Sequence, residues 1–356
     1  MTPQKEFLKK LISLSGISGY EDPVREAIAD AWQPLVDELH TNPIGSLHGL
    51  KKGRGEEPRR RILLMAHMDA IGMMVTRTVG GFIQINEARP IDPRVLPGQP
   101  VIIHGRREIP GVIVQPPASL LPPSHGKEEL VGMSYLFIDT GLPAGEVDRL
   151  VRAGDPVSFA QPPLELSENI LAGRSLDDRA SVAALTSCLE ELQSLPHSWD
   201  VWAVASVQEE ETLAGAYTST FSIRPDLAVA IDVTFGKGPG SPNDYRTFPL
   251  GKGPTIGWGA NIHPGLYQAF KDLAEKLEIP YAVELMPKSS GTDAVAMQVN
   301  AEGIPTMVLG IPARYLHTPV EMVSMNDIQA CGHLMAEFVA RLDGDCLQNL
   351  SLDVQP

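Results

Sequence analysis

Cysteine is scarce in this chain: Cys188, Cys331 and Cys346 are the three thiols in 356 residues. Their spacings suit neither a disulfide framework nor a zinc knuckle, which excludes a stapled secreted scaffold and fits a reducing compartment. Plain thiols are the simplest reading of all three. Long apolar runs are missing as well. No stretch approaches the roughly 18 consecutive apolar residues of a membrane helix, and the segment from Met1 to Lys10 lacks the apolar core of a signal peptide. The expectation is a cytoplasmic protein with no membrane association. Basic charge is in deficit, with 29 Lys and Arg against 44 Asp and Glu and a net charge of −15. That balance favours solubility and argues against a nucleic-acid partner or an anionic membrane surface.

What remains is ordinary globular material, 43% hydrophobic and 21% charged, long enough for two domains or for one carrying an insertion. Apolar residues recur at helical spacing over 5–14 and 21–38, with Ser15-Gly-Ile-Ser-Gly19 as a break between them. A strand follows at Arg61 to Ala66. From about 73 to 161 the texture changes to short β-rich pieces, such as Val101–His104, Gly111–Val114 and Tyr135–Ile138, separated by Pro and Gly. Pro116 to His125 reads as a loop within it. Alternation of helix and strand then returns, with helices over 178–194 and 265–277 and strands beginning at Val201 and Leu227. Such alternation implies an α/β fold with a mostly parallel sheet and helices on both faces. The expected division is a catalytic α/β domain over 1–72 and 162–356, interrupted by a small all-β, barrel-like domain over 73–161.

The chemistry-bearing residues stand where the apolar strands end. Arg61 to Asp69 closes on His67 and Asp69; Val201 to Glu211 closes on Glu209, Glu210 and Glu211; Leu227 to Asp232 closes on Asp232. Thr306 to Ile311 is followed by Pro312-Ala-Arg-Tyr-Leu-His317. In an open α/β sheet the carboxyl ends of parallel strands share one crevice, so residues remote in sequence can meet there. His67 and Asp69, two apart, share a side if the strand continues, and a carboxylate so placed can orient a metal-bound imidazole. Asp177 and Asp178 precede a helix and could do no more than cap it. Alternatively one carboxylate bridges two cations, and Asp178 could then be the helix cap. Three consecutive glutamates repel one another unless solvent or cations relieve them. On an extended chain neighbouring glutamates point opposite ways, so one could bind a metal while the next acts on a water. Each feature alone also has a plain structural reading; together, mixed imidazole and carboxylate donors suit zinc, cobalt or manganese.

Six segments, Ala66-His-Met-Asp-Ala-Ile-Gly72, Ser175-Leu-Asp-Asp-Arg-Ala180, Val207-Gln-Glu-Glu210, Ile231-Asp-Val233, Ser290-Gly-Thr-Asp-Ala294 and Pro312-Ala-Arg-Tyr-Leu-His-Thr318, resemble in order and spacing the M42 family of dinuclear-metal aminopeptidases. Some members of that family carry an endoglucanase label. The resemblance implies a phosphorylase/hydrolase-like α/β domain with an inserted barrel that serves dimerisation and assembly. It implies two divalent ions, zinc or cobalt with manganese as a further candidate. Asp177 would bridge them, His67 and Asp232 would complete one site and Glu210 and His317 the other. Glu209 would be the general base acting on a bridging water, Asp69 would orient His67, and the Asp177–Asp178 peptide would be cis. Asp293 would belong to the substrate pocket, its plainer alternative being a turn residue. The implied substrates are short peptides with free N-termini, and the implied assembly is a homo-oligomer built from dimers, up to a dodecamer.

This chain departs from the family pattern at Ala70, at Glu211-Thr212, at Ser290 and in the turn Asn42-Pro-Ile-Gly-Ser46. None of these removes a proposed ligand or the base; they bear on substrate preference and assembly. Lys288 or Arg314 could select acidic side chains, or serve as surface cations. Two other readings stand beside the aminopeptidase. A glycoside hydrolase with paired carboxylates and no metal leaves His67 and His317 without work, and a catalytically silent assembly module leaves the whole donor set without work.

Overall fold

The computed structural model describes residues 2–117, 119, 132–242 and 244–352. The loop expected over Pro116–His125 therefore lies largely outside the described residues. The chain opens with helices α1 (Pro3–Ser13) and α2 (Asp22–Trp32). Thr2 caps α1 by accepting the Lys5 N–H, and the stripe Leu8, Leu11 and Ile12 is fully buried. The second helix stops at Trp32 instead of continuing to 38: Gln33 still has helical backbone and donates to the Ala29 carbonyl, but Pro34 has no N–H with which to extend the ladder. Two short strands follow, β1 (Glu38–Thr41) and β2 (Leu47–Lys51), and then β3 (Arg61–His67), apolar from Ile62 to Ala66.

A six-stranded closed barrel comes next: β4 (Met73–Val79), β5 (Phe82–Glu87), β6 (Pro100–His104), β7 (Glu108–Val114), β8 (Phe137–Asp139) and β9 (Pro156–Phe159). Their spatial order is β4-β5-β8-β7-β6-β9. Val75, Ile83, Ile103, Ile113, Ile138 and Val157 fill the interior as a core of their own. This region is not all-β: helix α3 (Ala144–Leu150) lies between β8 and β9 and buries Val147 in the barrel core.

The remainder runs β10 (Leu164–Glu165), β11 (Ile170–Gly173), α4 (Leu176–Glu191), β12 (Asp200–Ser206), α5 (Glu209–Thr212), α6 (Ala214–Ile223), β13 (Leu227–Phe235), β14 (Thr255–Gly259), α7 (Pro264–Lys276), β15 (Ala282–Met286), α8 (Ala294–Gln298), β16 (Thr306–Arg314), β17 (Glu321–Ser324), α9 (Met325–Ala340) and α10 (Cys346–Asn349). Strands outside the barrel form one sheet in the order β1-β2-β12-β3-β13-β16-β17-β11-β10, with β14 on β16 and β15 on β14. Only its centre matches the expected parallel arrangement. β12, β3, β13 and β16 run parallel, as do β14 and β15, whereas β1, β2, β17, β11 and β10 join antiparallel. The sheet is therefore mixed. Connection length accounts for the sequential pairs β1–β2, β10–β11 and β16–β17: the links at 42–46, 166–169 and 315–320 are too short for a crossover, because parallel neighbours need a dozen residues or more.

The central strands read as unbroken apolar runs because they are buried on both faces; Ile62, Leu63, Leu64 and Met65 are inaccessible to solvent. Helix α4 lies along β3 and β13. Among the cysteines, Cys188 and Cys331 are buried free thiols and Cys346 is half-buried. Among the described residues no helix is long and apolar enough to cross a membrane.

Candidate metal centre

Register brings the donors together. Ser206 at the end of β12 pairs with His67 at the end of β3, and Asp232 on the adjoining β13 pairs with Gly310 of β16, so the four parallel strands deliver their carboxyl ends to one crevice. The loop from β16 to β17 adds His317, and the start of α4 adds Asp177 and Asp178, joined by a cis peptide. Four non-glycine residues beside these donors, Ser175, Gln208, Tyr315 and His317, adopt left-handed backbone with φ between 58° and 60°. Each such residue costs on the order of 1 kcal/mol, which the surrounding structure must offset.

Asp177 sits between two imidazoles. Its Oδ1 is 3.2 Å from His67 Nε2, and its Oδ2 is 3.4 Å from His317 Nε2. His317 Nε2 is also 3.4 Å from Glu210 Oε2, and His67 Nε2 is 3.8 Å from Glu209 and 3.9 Å from Asp232. Donor atoms of His67, Asp177 and Glu210 lie within 4.8 Å of one another, as do those of His67, Asp178 and Asp232. Asp178 is thus not the helix cap: its fully buried carboxylate accepts the backbone N–H of His67 at 3.3 Å. On the other face of His67, Nδ1 lies 3.1 Å from the Asp69 carbonyl and 3.4 Å from the Asp69 carboxylate. A proton on Nδ1 leaves the Nε2 lone pair facing the crevice.

The glutamates do not sit on extended chain as expected. Gln208, with φ of 58°, turns the backbone out of β12 into the single helical turn of α5. Glu209 and Glu210 are buried against the centre while Glu211 is exposed. Asp69 anchors this turn by accepting the N–H of Glu209 at 3.0 Å and of Glu210 at 3.2 Å, together with the Ser18 hydroxyl at 2.5 Å. Asp293 accepts the Ser206 hydroxyl at 2.5 Å, its charge is felt by Glu209, and it does not line the cavity described below.

Electrostatically the crevice holds more negative charge than its two imidazoles balance. Burial, reinforced by the charges of Asp232, Asp293 and Glu210, pushes Glu209 up to about 10. Asp232 is driven well above the carboxylate range by burial and by the charges of Asp178 and Asp177. Hydrogen bonds to Asp177 and Glu210 raise His317 to about 10. Burial pulls His67 down, but the Glu209 charge and its bonds to Asp177 and Asp69 together win and hold it well above its usual value. Burial would raise Asp177 too, yet its two imidazole partners hold it below the usual range. Glu210 Oε1 and Asp293 Oδ1 are buried with no hydrogen-bond partner among the described residues. Crowded carboxylates, an unpartnered buried oxygen on Glu210 and two imidazoles whose Nε2 atoms face those carboxylates form a donor set that divalent cations fit, a cation taking the place of each Nε2 proton.

Three contributors escape a reading of sequence alone. Glu321 is buried and accepts the N–H of Asp177 at 3.0 Å and of His317 at 2.9 Å, tying together both sides of the crevice. Arg179 is wholly buried and donates to the carbonyls of Leu11, Leu14, Gly16 and Met68. Arg89, from the loop after β5, brings Nε to 3.4 Å from Glu210 Oε2. A cavity of about 640 Å³ opens next to the loop that carries His317, with Phe235, Met286, Lys288, Ser290, Tyr315 and Leu316 in its wall and none of the donor side chains lining it. Lys288 stands there exposed, whereas Arg314 is engaged with the carbonyl of Lys237 at 2.6 Å.

The model of the M42 glutamyl aminopeptidase family matches residues 45–334. A lysyl aminopeptidase of Pyrococcus furiosus is 34% identical over 330 residues, covering 91% of this chain and 93% of its own. The aminopeptidase APDkam598 of the archaeon Desulfurococcus kamchatkensis superposes with a TM-score of 0.90 at 32% identity, with 98% of each chain covered. The TET1 peptidase of Pyrococcus horikoshii, which can assemble into a tetrahedron or a large octahedral shell, superposes with a TM-score of 0.82 at 30% identity over 95% of this chain and 100% of its own. Fold, crevice and relatives together make this protein a peptide hydrolase. The chain belongs to the M42 glutamyl aminopeptidase family.

Proposed function

We propose that this protein is a dinuclear-metal aminopeptidase that removes N-terminal residues from short peptides. The observation that carries the reading is Asp177, whose two carboxylate oxygens face His67 and His317 separately. In this reading Asp177 would be shared by two divalent ions, which His67 and Asp232 would hold on one side and Glu210 and His317 on the other. Asp178 is a further oxygen donor beside the first. Zinc or cobalt, with manganese also suited, would supply Lewis-acid polarisation of the scissile carbonyl and a water of lowered pKa. Two cations in the crevice would offset the crowding that raises Glu209 without them. Its carboxylate oxygen would then be free to take the water's proton and return it to the leaving amine. Asp69 fixes the tautomer of His67 and holds the turn that carries Glu209. Surplus negative charge, Asp293 included, draws the substrate's α-ammonium into the crevice, while the adjacent cavity takes the first side chain.

The barrel, as an inserted unit over 73–161, is assigned to assembly. Relatives that form closed shells support a homo-oligomer here.

The test is hydrolysis of a panel of aminoacyl-p-nitroanilides after chelation and after return of zinc, cobalt or manganese, with metal content measured in parallel. Glu209→Gln should retain both ions and lose about 10²–10⁴-fold in kcat, whereas Asp177→Ala should lose metal as well as turnover. A Glu209→Gln enzyme with near-normal turnover would remove that residue from its role. No cleavage by a protein that binds two ions would remove the aminopeptidase reading.

A further inference from the structure

The carboxylates of the crevice receive ion pairs from its own two histidines and, among the described residues, from one further cation, Arg89. That guanidinium does not come from the sheet. It belongs to the barrel and is held in place from both sides. The preceding Ala88 donates its N–H to the Gly72 carbonyl at 2.9 Å, and Ile91, two residues on, is buried in the barrel core. Pro90 follows directly and restrains the Arg89 backbone to extended conformations. The side chain is 40% exposed, with Nε turned to Glu210 and no other partner among the described residues. Its terminal N–H groups are thus free to take a ligand, and a guanidinium matches a carboxylate with two parallel hydrogen bonds.

Position indicates which part of a substrate Arg89 would meet. The cavity assigned to the first side chain is lined entirely by residues between Phe235 and Leu316, with none from the barrel. Arg89 approaches the centre from the barrel, beside Glu210. A peptide whose α-ammonium and first side chain lie on the sheet side therefore extends its leaving portion toward the barrel. We propose that Arg89 recognises a carboxylate on the leaving fragment, so that the enzyme favours peptides bearing a free C-terminal carboxylate, or an acidic side chain, next to the scissile bond. The proposal rests on the aminopeptidase reading and deepens it by naming the substrate class.

The experiment compares kcat and KM for Leu-Ala, Leu-Ala amide and Leu-Asp amide, using zinc-loaded wild-type enzyme, Arg89→Ala and Arg89→Lys. Wild type should cleave Leu-Ala about 10- to 100-fold more efficiently than its amide, as expected for one charge-assisted pair. In Arg89→Ala that ratio should collapse toward one, chiefly through KM, with Arg89→Lys between the two. Recovery of efficiency with Leu-Asp amide would identify an acidic side chain as a second source of the carboxylate; its absence would restrict recognition to the C-terminus. A zinc titration supplies a readout independent of turnover: removing a cation 3.4 Å from Glu210 should leave zinc binding intact or tighter. Equal cleavage of acid and amide by wild type would overturn the proposal, and so would an Arg89→Ala enzyme that loses zinc or slows on all three peptides alike. Failure of wild type to cleave any of the three would instead count against the aminopeptidase reading itself.

Discussion

Asp69 is wholly buried, yet it organises much of the crevice. Its carboxylate accepts from Ser18, Glu209 and Glu210, and its own carbonyl faces His67 Nδ1. Asn at this position keeps one acceptor oxygen and turns the other into a donor aimed at N–H groups, so at least one bond is replaced by a repulsion. Asp69→Asn should cost about 10- to 100-fold in metal affinity or turnover. Zinc titration alongside kcat measures it, and a variant within twofold of wild type on both would deny Asp69 its part. Residues of this kind divide into those legible in the sequence and those that are not. His67, Glu209, Glu210 and Asp232 announce themselves because each follows an apolar strand, and strand ends are where a sheet gathers its donors. Glu321 gives no such signal. It lies at the start of a four-residue strand, and its two bonds join segments 144 and four positions away. Arg89 is silent for a related reason: nothing in the order of the chain says that a barrel loop will lean over the crevice.

Elements tell a parallel story. Long apolar strands and helices with a clear buried stripe stand out by periodicity, as at β3, β13, α1 and α7. The antiparallel flanks do not, being short and partly polar, with β1 reading Glu-Leu-His-Thr and β10 only two residues long. Where neighbours are consecutive, as in β1–β2 and β10–β11, the antiparallel direction follows from the length of the connection and not from its composition. The turn at α5 was unreadable because its direction depends on the left-handed backbone of Gln208. One junction shows how tightly these pieces are fitted. Gly253 enters β14 with φ of +86°, and a Cβ built there would lie 1.7 Å from the Pro280 carbonyl oxygen. Its N–H meanwhile donates to the buried Asp327 at 2.7 Å. Gly253→Ala therefore combines a backbone penalty with a steric one and should destabilise by roughly 3 kcal/mol or more. Urea unfolding of the metal-free protein reads this directly; an unchanged midpoint would show that the β14 entry can relax.

At the scale of the whole molecule, one buried histidine makes a contribution to stability that acid removes. His48 is buried beside Ser219, and burial together with the charge of His40 lowers it to about 4. Because the unfolded chain binds a proton near pH 6.5 and the folded one only near 4, the unfolded state carries more protons between those values. Stability therefore falls as pH drops through that window and is fully present above it. The loss from this one group is at most roughly 3 kcal/mol. Unfolding midpoints at pH 7, 5.5 and 4 should fall more steeply for wild type than for His48→Gln; parallel slopes would remove His48 as a cause. The net charge of −15 acts on the same scale, keeping copies apart unless a specific surface brings them together.

The barrel is spliced into the sheet at a telling point. Only Met68–Gly72 separates His67 from the first barrel strand, and Arg89 returns from the second to within reach of Glu210. The unit assigned to assembly is thus rooted in the same few residues that present the imidazole, and it reaches back over the crevice with a guanidinium. There is little slack between the two. A displacement of the barrel, by a neighbouring copy or by its loss, would tug on both ends of that short tether, so the state of the assembly and the readiness of the crevice would behave as one variable.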